Sequence, residues 1–164
     1  MIELIVLDVD GCLTDGKITY TNKGDEIKSF NAKDGLAITT WVRMGKKVAI
    51  ITGRNSEIVE RRAKELGIIH LHQGIKNKLE VLDQIIKKED LKYENIAAIG
   101  DDLNDYAMLK SVGYSYAPLN AVDDIKDLVD VVCDRDGGDG AVRFMIDDIV
   151  SKDALKEEFL SLWV

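Results

Sequence analysis

Ile2-Glu3-Leu4-Ile5-Val6-Leu7-Asp8-Val9-Asp10-Gly11 begins as an almost continuous apolar run and ends in two carboxylates and a glycine. A run with so little polar relief reads as a strand buried on both faces. Such a strand belongs in a parallel sheet covered by helices on either side. In those sheets ligands bind beyond the carboxyl ends of the strands. Asp8 and Asp10 stand at that end, so this one stretch raises both a fold and a site.

The chain on either side keeps the same rhythm. Lys17 to Phe30 reads as a β-hairpin, with Ile18-Thr19-Tyr20-Thr21 and Glu26-Ile27-Lys28-Ser29-Phe30 flanking the turn-rich Asn22-Lys23-Gly24-Asp25. Asp34-Gly35 opens a helix that Gly45 closes. Val48 to Ile51 is a second buried strand. A helix from about Ser56 to Leu66 follows, with Gly67 past its end. Ile68–Leu71, Ile96–Ile99 and Tyr114–Ala117 are further strands, and Val131-Val132 is a last short one. Helices are expected over Lys78–Lys88, Tyr106–Lys110, Val122–Leu128, near Val142–Val150 and over Leu155–Trp163. The expectation is one α/β domain over 1–164. It is a three-layer, doubly wound parallel sheet, with the hairpin at about 17–30 as the element outside the rhythm.

The chain has 164 residues, one proline and a formal net charge of −8. That length supports a single core without staples. The charge argues against nucleic acid and anionic membrane, which demand a basic face. An anionic substrate would be repelled unless a cation or clustered bases receive it. No apolar run nears the ~18 residues of a membrane span. The start carries no basic segment or small-residue cleavage site, so secretion is not expected. Cys12 and Cys133 lie far apart in sequence and read as reduced thiols of a cytoplasmic protein.

The strand ends collect acids. Asp8 and Asp10 follow the first strand, Thr52-Gly53-Arg54 the second, and Gly100-Asp101-Asp102-Leu103-Asn104-Asp105 the fourth. Lys78 opens the helix after the third. One aspartate after a strand is an ordinary turn or cap residue. Asp8, Asp10 and Asp101 together repel one another, so either a cation sits among them or their pKa values rise. Oxygen-only ligands favour Mg²⁺.

Asp8-Val9-Asp10-Gly11 with Leu13-Thr14, then Thr52, Lys78 and Gly100-Asp101-Asp102-Leu103-Asn104-Asp105, resembles the four motifs of the haloacid dehalogenase superfamily, in family order. The resemblance implies a phosphatase, because an acid at the second motif position is the phosphatase pattern. It implies Asp8 as nucleophile, giving an aspartyl phosphate, and Asp10 as general acid and then base. Asp101 would ligate Mg²⁺ beside the Asp8 carboxylate and the Asp10 backbone carbonyl. Asp102 or Asp105 would support the metal's shell or the loop. Thr52 and Lys78 would bond the phosphoryl oxygens.

Neither the Asp10–Thr52 gap nor the Lys78–Asp101 gap has room for a cap domain, so the resemblance is to the capless branch. Within it the chain is similar to the 3-deoxy-D-manno-octulosonate (KDO) 8-phosphate phosphatase family. Phe30-Asn31-Ala32-Lys33-Asp34-Gly35, Gln73-Gly74 and Gly137-Gly138-Asp139-Gly140-Ala141-Val142-Arg143 carry that likeness. It implies KDO and lipopolysaccharide biosynthesis, and a homotetramer in which hairpins pack together and a neighbour contributes to each site. The likeness is weakest over 151–164. The substrate's carboxylate calls for arginine. Arg54 follows Thr52-Gly53, and Arg62 stands on the next helix, with an ion pair to Glu57 or Glu65 as its structural alternative. Relatives acting on KDN or N-acylneuraminate 9-phosphate tend to carry Glu where Arg54 stands, which favours the eight-carbon substrate. Two non-enzymatic alternatives stay open, a receiver-like domain and a tetramerisation scaffold. His70, His72, Trp41 and Trp163 read as structural.

Overall fold

Leu4–Leu7 (β1) is buried at every position. Val and Ile crowd the neighbouring strands too, so each central strand feeds two cores. The computed structural model describes residues 1–164. In chain order after β1 come a hairpin of Thr19–Tyr20 (β2) and Glu26–Ile27 (β3), then helix Ala32–Arg43 (α1), strand Lys47–Ile51 (β4), helix Glu57–Leu66 (α2), strand His70–His72 (β5) and helix Lys78–Glu89 (α3). Strand Ile96–Ile99 (β6), helix Tyr106–Ser111 (α4), strand Tyr114–Ala117 (β7), helix Asp123–Lys126 (α5), strand Val131–Val132 (β8) and helices Ala141–Lys152 (α6) and Lys156–Ser161 (α7) complete it.

Six strands pair in the order β5-β4-β1-β6-β7-β8, and every pairing is parallel. Counted along the sheet's own strands, that is 3-2-1-4-5-6, the doubly wound order. It differs from the 2-1-3-4-5 order of receiver-type sheets, so the receiver alternative fails on topology. The order reverses between β1 and β6, and a crevice opens at that point. Asp8 and Asp101 flank it.

Alternate residues of the central strands serve opposite faces. Ile5, Leu7, Val48, Ile50, Ala97 and Ile99 pack with α1, α2 and α6. Leu4, Val6, Ala49, Ile51, Ile96 and Ala98 pack with α3, α4 and α5. Each fully buried Ile or Leu contributes roughly 1.5–3 kcal/mol. Trp41 is a core residue, its indole N–H donating to the Lys47 carbonyl at 3.1 Å.

The departures from expectation are local. α1 starts at Ala32 and not Asp34, because the Asn31 side chain accepts from Lys33 N at 2.8 Å and caps the helix earlier. β5 begins at His70 and not Ile68, since Ile68 N still bonds Ala63 O at 2.9 Å in closing α2. The hairpin ladder has only Thr19 opposite Ile27 and Tyr20 opposite Glu26. Only the hairpin, α1 and β4 lie between Asp10 and Thr52, so no cap domain is present there. No helix is long and apolar enough to cross a membrane.

Candidate active site

The loop after β1 is a widened turn over Val9–Leu13, interrupted at Asp10 and Gly11, whose backbone is not helical. Thr14 closes it, with its N–H on Val9 O at 3.0 Å. Gly11 sits at φ +102°, and a Cβ there would lie 2.0 Å from Asp101 Oδ2. Glycine is what lets the β6 loop bring its carboxylate against the β1 loop. A second glycine pair braces the same turn from outside. Gly138 N donates to Cys12 O at 3.0 Å, and a Cβ on Gly137 would fall 1.8 Å from Gly11 O.

Asp8 and Lys78 are both buried, and Lys78 Nζ donates to Asp8 Oδ1 at 2.6 Å and to Asp105 Oδ1 at 2.5 Å. Lys78 is placed by helix α3, whose Asn77 cap accepts from Glu80 N. Asp105 is fully buried; its other oxygen accepts from Asp101 N at 3.0 Å. Asp105 therefore organises the β6 loop and shares Lys78. Asp102 accepts from Leu103 N at 2.7 Å and caps the turn that follows.

One lysine does not balance this many acids. Burial, with Asp105 repulsion added, outweighs Lys78 and pushes Asp8 up to about 7. Burial, then Asp105 and Asp102, push Asp101 up to about 6. Burial pulls against the Lys78 charge, but Asp8 and Asp105 outweigh it and hold the ammonium well above its ordinary range. Asp8, Cys12 and Asp101 each offer an atom within 4.8 Å of the others. Burial raises the Cys12 thiol far above its usual value, and a soft thiol is a poor partner for a hard cation beside two carboxylates. That leaves carboxylate oxygens in an electron-rich crevice, a donor set that suits Mg²⁺.

Asp8, Asp10, Gly16, Thr52, Gly53, Arg54, Asp101, Asp102 and Asn104 line one cleft of about 270 Å³, none of them apolar. The fold thus gathers every candidate except three. Lys78 and Asp105 lie beneath the floor. Arg62 is not brought in. It faces a separate groove of about 580 Å³ beside α1 and α2, pairs with Glu65 at 3.5 Å and stacks over Phe30 at 5.5 Å. Arg54 precedes α2 in a loop, so the two arginines do not share a helix face. Arg54 itself is engaged: Nη2 donates to Tyr20 Oη and to Glu26 Oε1, both at 3.0 Å. Three hairpin residues, Tyr20, Glu26 and Lys28, reach the site without any sequence motif to announce them. Lys28 Nζ bonds Asp10 Oδ1. Their one sequence signal is alternation in a strand, which does not say what a side chain meets.

Residues 67–145 match the family of haloacid dehalogenase-like hydrolases. The 3-deoxy-D-manno-octulosonate 8-phosphate phosphatase of Salmonella typhi is 43% identical over 146 residues, spanning 89% of this chain and 78% of that protein. The chain belongs to this phosphatase family. A crystal structure of the family's Yersinia pestis member superposes with a TM-score of 0.89 at 40% identity, covering 91% of this chain and 80% of that one. The Moraxella catarrhalis phosphatase, solved with a magnesium ion, a phosphate ion and a KDO molecule, gives a TM-score of 0.95 at 37% identity, covering 99% and 94%.

Proposed function

We propose that this chain is an Mg²⁺-dependent phosphatase that hydrolyses 3-deoxy-D-manno-octulosonate 8-phosphate to KDO and phosphate. The observation that carries the reading is the 43% identity to a phosphatase of that name over 89% of the chain. Asp8, Asp10, Thr52 and Asp101 lining one crevice, with Lys78 bonded to Asp8 beneath them, support it.

The chemistry follows from where each group stands. Asp8 attacks phosphorus in line. Its Oδ–P bond forms as the bond from phosphorus to the sugar oxygen breaks. Asp10 gives its proton to the departing alkoxide, then takes one from the water that attacks the aspartyl phosphate, whose Asp8 Oδ–P bond breaks to release phosphate and restore the carboxylate. Thr52, Gly53 and Lys78 surround the phosphoryl group, and Lys78 keeps its charge there. Asp8 and Asp101, with the Asp10 backbone, would hold Mg²⁺, which supplies charge neutralisation for the phosphoryl oxygens. Arg54 meets the substrate's carboxylate by exchanging Glu26 for it. Its side chain is 43% exposed at the cleft's rim, so the exchange needs little rearrangement.

The working assembly we propose is a homotetramer. Ile18, Tyr20 and Ile27 are exposed on a hairpin too short to stand alone. Arg62 lies outside its own subunit's cleft, lining a separate groove beside α1 and α2. A cytoplasmic setting fits Cys12 and Cys133, both free and buried. The test is phosphate release from a panel of KDO 8-phosphate, KDN 9-phosphate and N-acetylneuraminate 9-phosphate. Highest kcat/KM on KDO 8-phosphate is expected. A preference for either nine-carbon substrate would reassign the enzyme.

A further inference from the structure

Each carboxylate of the Asp8–Asp10 pair has its own buried lysine. Lys78 serves Asp8, and both Lys78 and Lys28 have side chains only 1% exposed. Lys28 comes from the end of the hairpin, where none of the four superfamily motifs lies. Its ammonium bonds Asp10 Oδ1 and stands 3.3 Å from Glu26 Oε1. Glu26 Oε1 in turn accepts from Arg54. The other Asp10 oxygen, Oδ2, has Arg54 Nε at 3.9 Å, too far for a hydrogen bond.

Asp10 needs this support. Asp8 is pinned by Lys78, and the Asp101 backbone is pinned by Asp105. Asp10 is followed by Gly11 in a left-handed conformation, and no side-chain bond from within its own loop holds its carboxyl. A general acid must be aimed as well as present, because proton transfer acts over hydrogen-bond distance.

We propose that Lys28 is a positioning residue for the leaving-group proton: by holding Asp10 Oδ1 it aims Oδ2 at the departing oxygen, so the hairpin of the same subunit completes the acid half of the site. The proposal rests on Asp10 being the general acid. It gives the hairpin a role in its own subunit that is separate from any packing between copies.

The test is a leaving-group series with Lys28→Met, Lys28→Arg and Asp10→Asn, read beside the wild type. Para-nitrophenolate leaves with little help, whereas a sugar or simple alkyl alkoxide needs the proton. Lys28→Met should lose about 30-fold or more in kcat/KM on alkyl phosphates, within the range of general acid catalysis, and only about 3-fold on para-nitrophenyl phosphate, because kcat/KM ends at departure of the leaving group and leaves out the later hydrolysis in which Asp10 is the base. Its rates across substituted phenyl phosphates should depend more steeply on leaving-group pKa than the wild type's. Lys28→Arg, which keeps a donor, should recover most of the alkyl activity. Circular dichroism checks the fold, and the arginine variant carries the test if the methionine variant does not fold: its slope should then stay near the wild-type value. Equal losses on alkyl and aryl substrates would overturn the proposal, since that pattern means a general charge or folding role. A flat response in Asp10→Asn would overturn the reading beneath it, and the proposal with it.

Discussion

Lys28 and Lys78 show why single residues decide this site: each sits almost without solvent between two carboxylates, Asp10 and Glu26 for one, Asp8 and Asp105 for the other. A buried charge without a partner is expensive, so each cation fixes its acids as firmly as they fix it. Arg54 is different, because its guanidinium is partly in water and its partners are exchangeable. Arg54→Glu should lower kcat/KM for KDO 8-phosphate by about 10–100-fold, the scale of removing one charged hydrogen-bond donor and adding a repulsion. Para-nitrophenyl phosphate, which has no carboxylate, should lose far less; equal losses in steady-state assays would place Arg54 with the phosphate or the fold. Asp8, Asp10, Thr52 and Asp101 were legible in sequence because they follow strands, and strand ends converge; Lys78, at the start of a helix, was legible only through the family resemblance. Lys28, Glu26 and Tyr20 were not, because which loop a hairpin folds over depends on packing between segments distant along the chain. Arg62 illustrates the converse, a residue whose charge was visible but whose direction was not.

The residue that precedes helix α6 at its cap position is Gly140, which has no side chain to serve, and the cap comes from another element. Asp34 on α1 accepts from Arg143 N at 2.8 Å through Oδ1, while its Oδ2 is buried without a partner. Burial pushes Asp34 up to about 6, against the bonds from the α6 backbone. A raised folded-state value means stability that is present at low pH and lost as pH rises through about 4 to 6. Asp34→Ala should therefore destabilise the protein by about 1–2 kcal/mol near pH 5, the range for a lost cap, and by less near pH 7.5. Urea unfolding at the two pH values checks both the size and the sign. The helices and buried strands themselves were readable from apolar runs and from Gly67. Their ends slipped by a residue or two where a cap, such as Asn31, or a closing bond, such as Ile68 N on Ala63 O, set the boundary. That Asp34 caps a helix more than a hundred residues later has no sequence pattern at all.

The whole molecule carries a net charge of −8 and concentrates part of it in one crevice. Without metal, Asp8 and Asp101 resist ionisation, so the metal-free protein should melt at lower temperature as pH rises from about 4 to 7. Mg²⁺ held by the ionised pair, as proposed, should raise the melting temperature more near pH 7.5 than near pH 5. Calorimetry in EDTA and in Mg²⁺ shows whether it does, and a larger shift at low pH would contradict the oxygen-donor site. The doubly wound order and the lack of a cap could be expected from the strand rhythm and the motif gaps, whereas the assembly is expected only from the family resemblance. If the proposed tetramer packs its hairpins together, Ile18→Asp with Ile27→Asp should shift it toward monomer in sedimentation and lower sugar-phosphate turnover, because both side chains are exposed in the single chain and charges on a packed apolar surface are costly. All of this rests on Asp8 as the nucleophile. The most direct test is KDO 8-phosphate hydrolysis by Asp8→Asn beside the wild type in Mg²⁺, with circular dichroism to confirm the fold. The amide is nearly isosteric but cannot form the aspartyl phosphate, so turnover should vanish; a folded Asp8→Asn with normal turnover would contradict the mechanism.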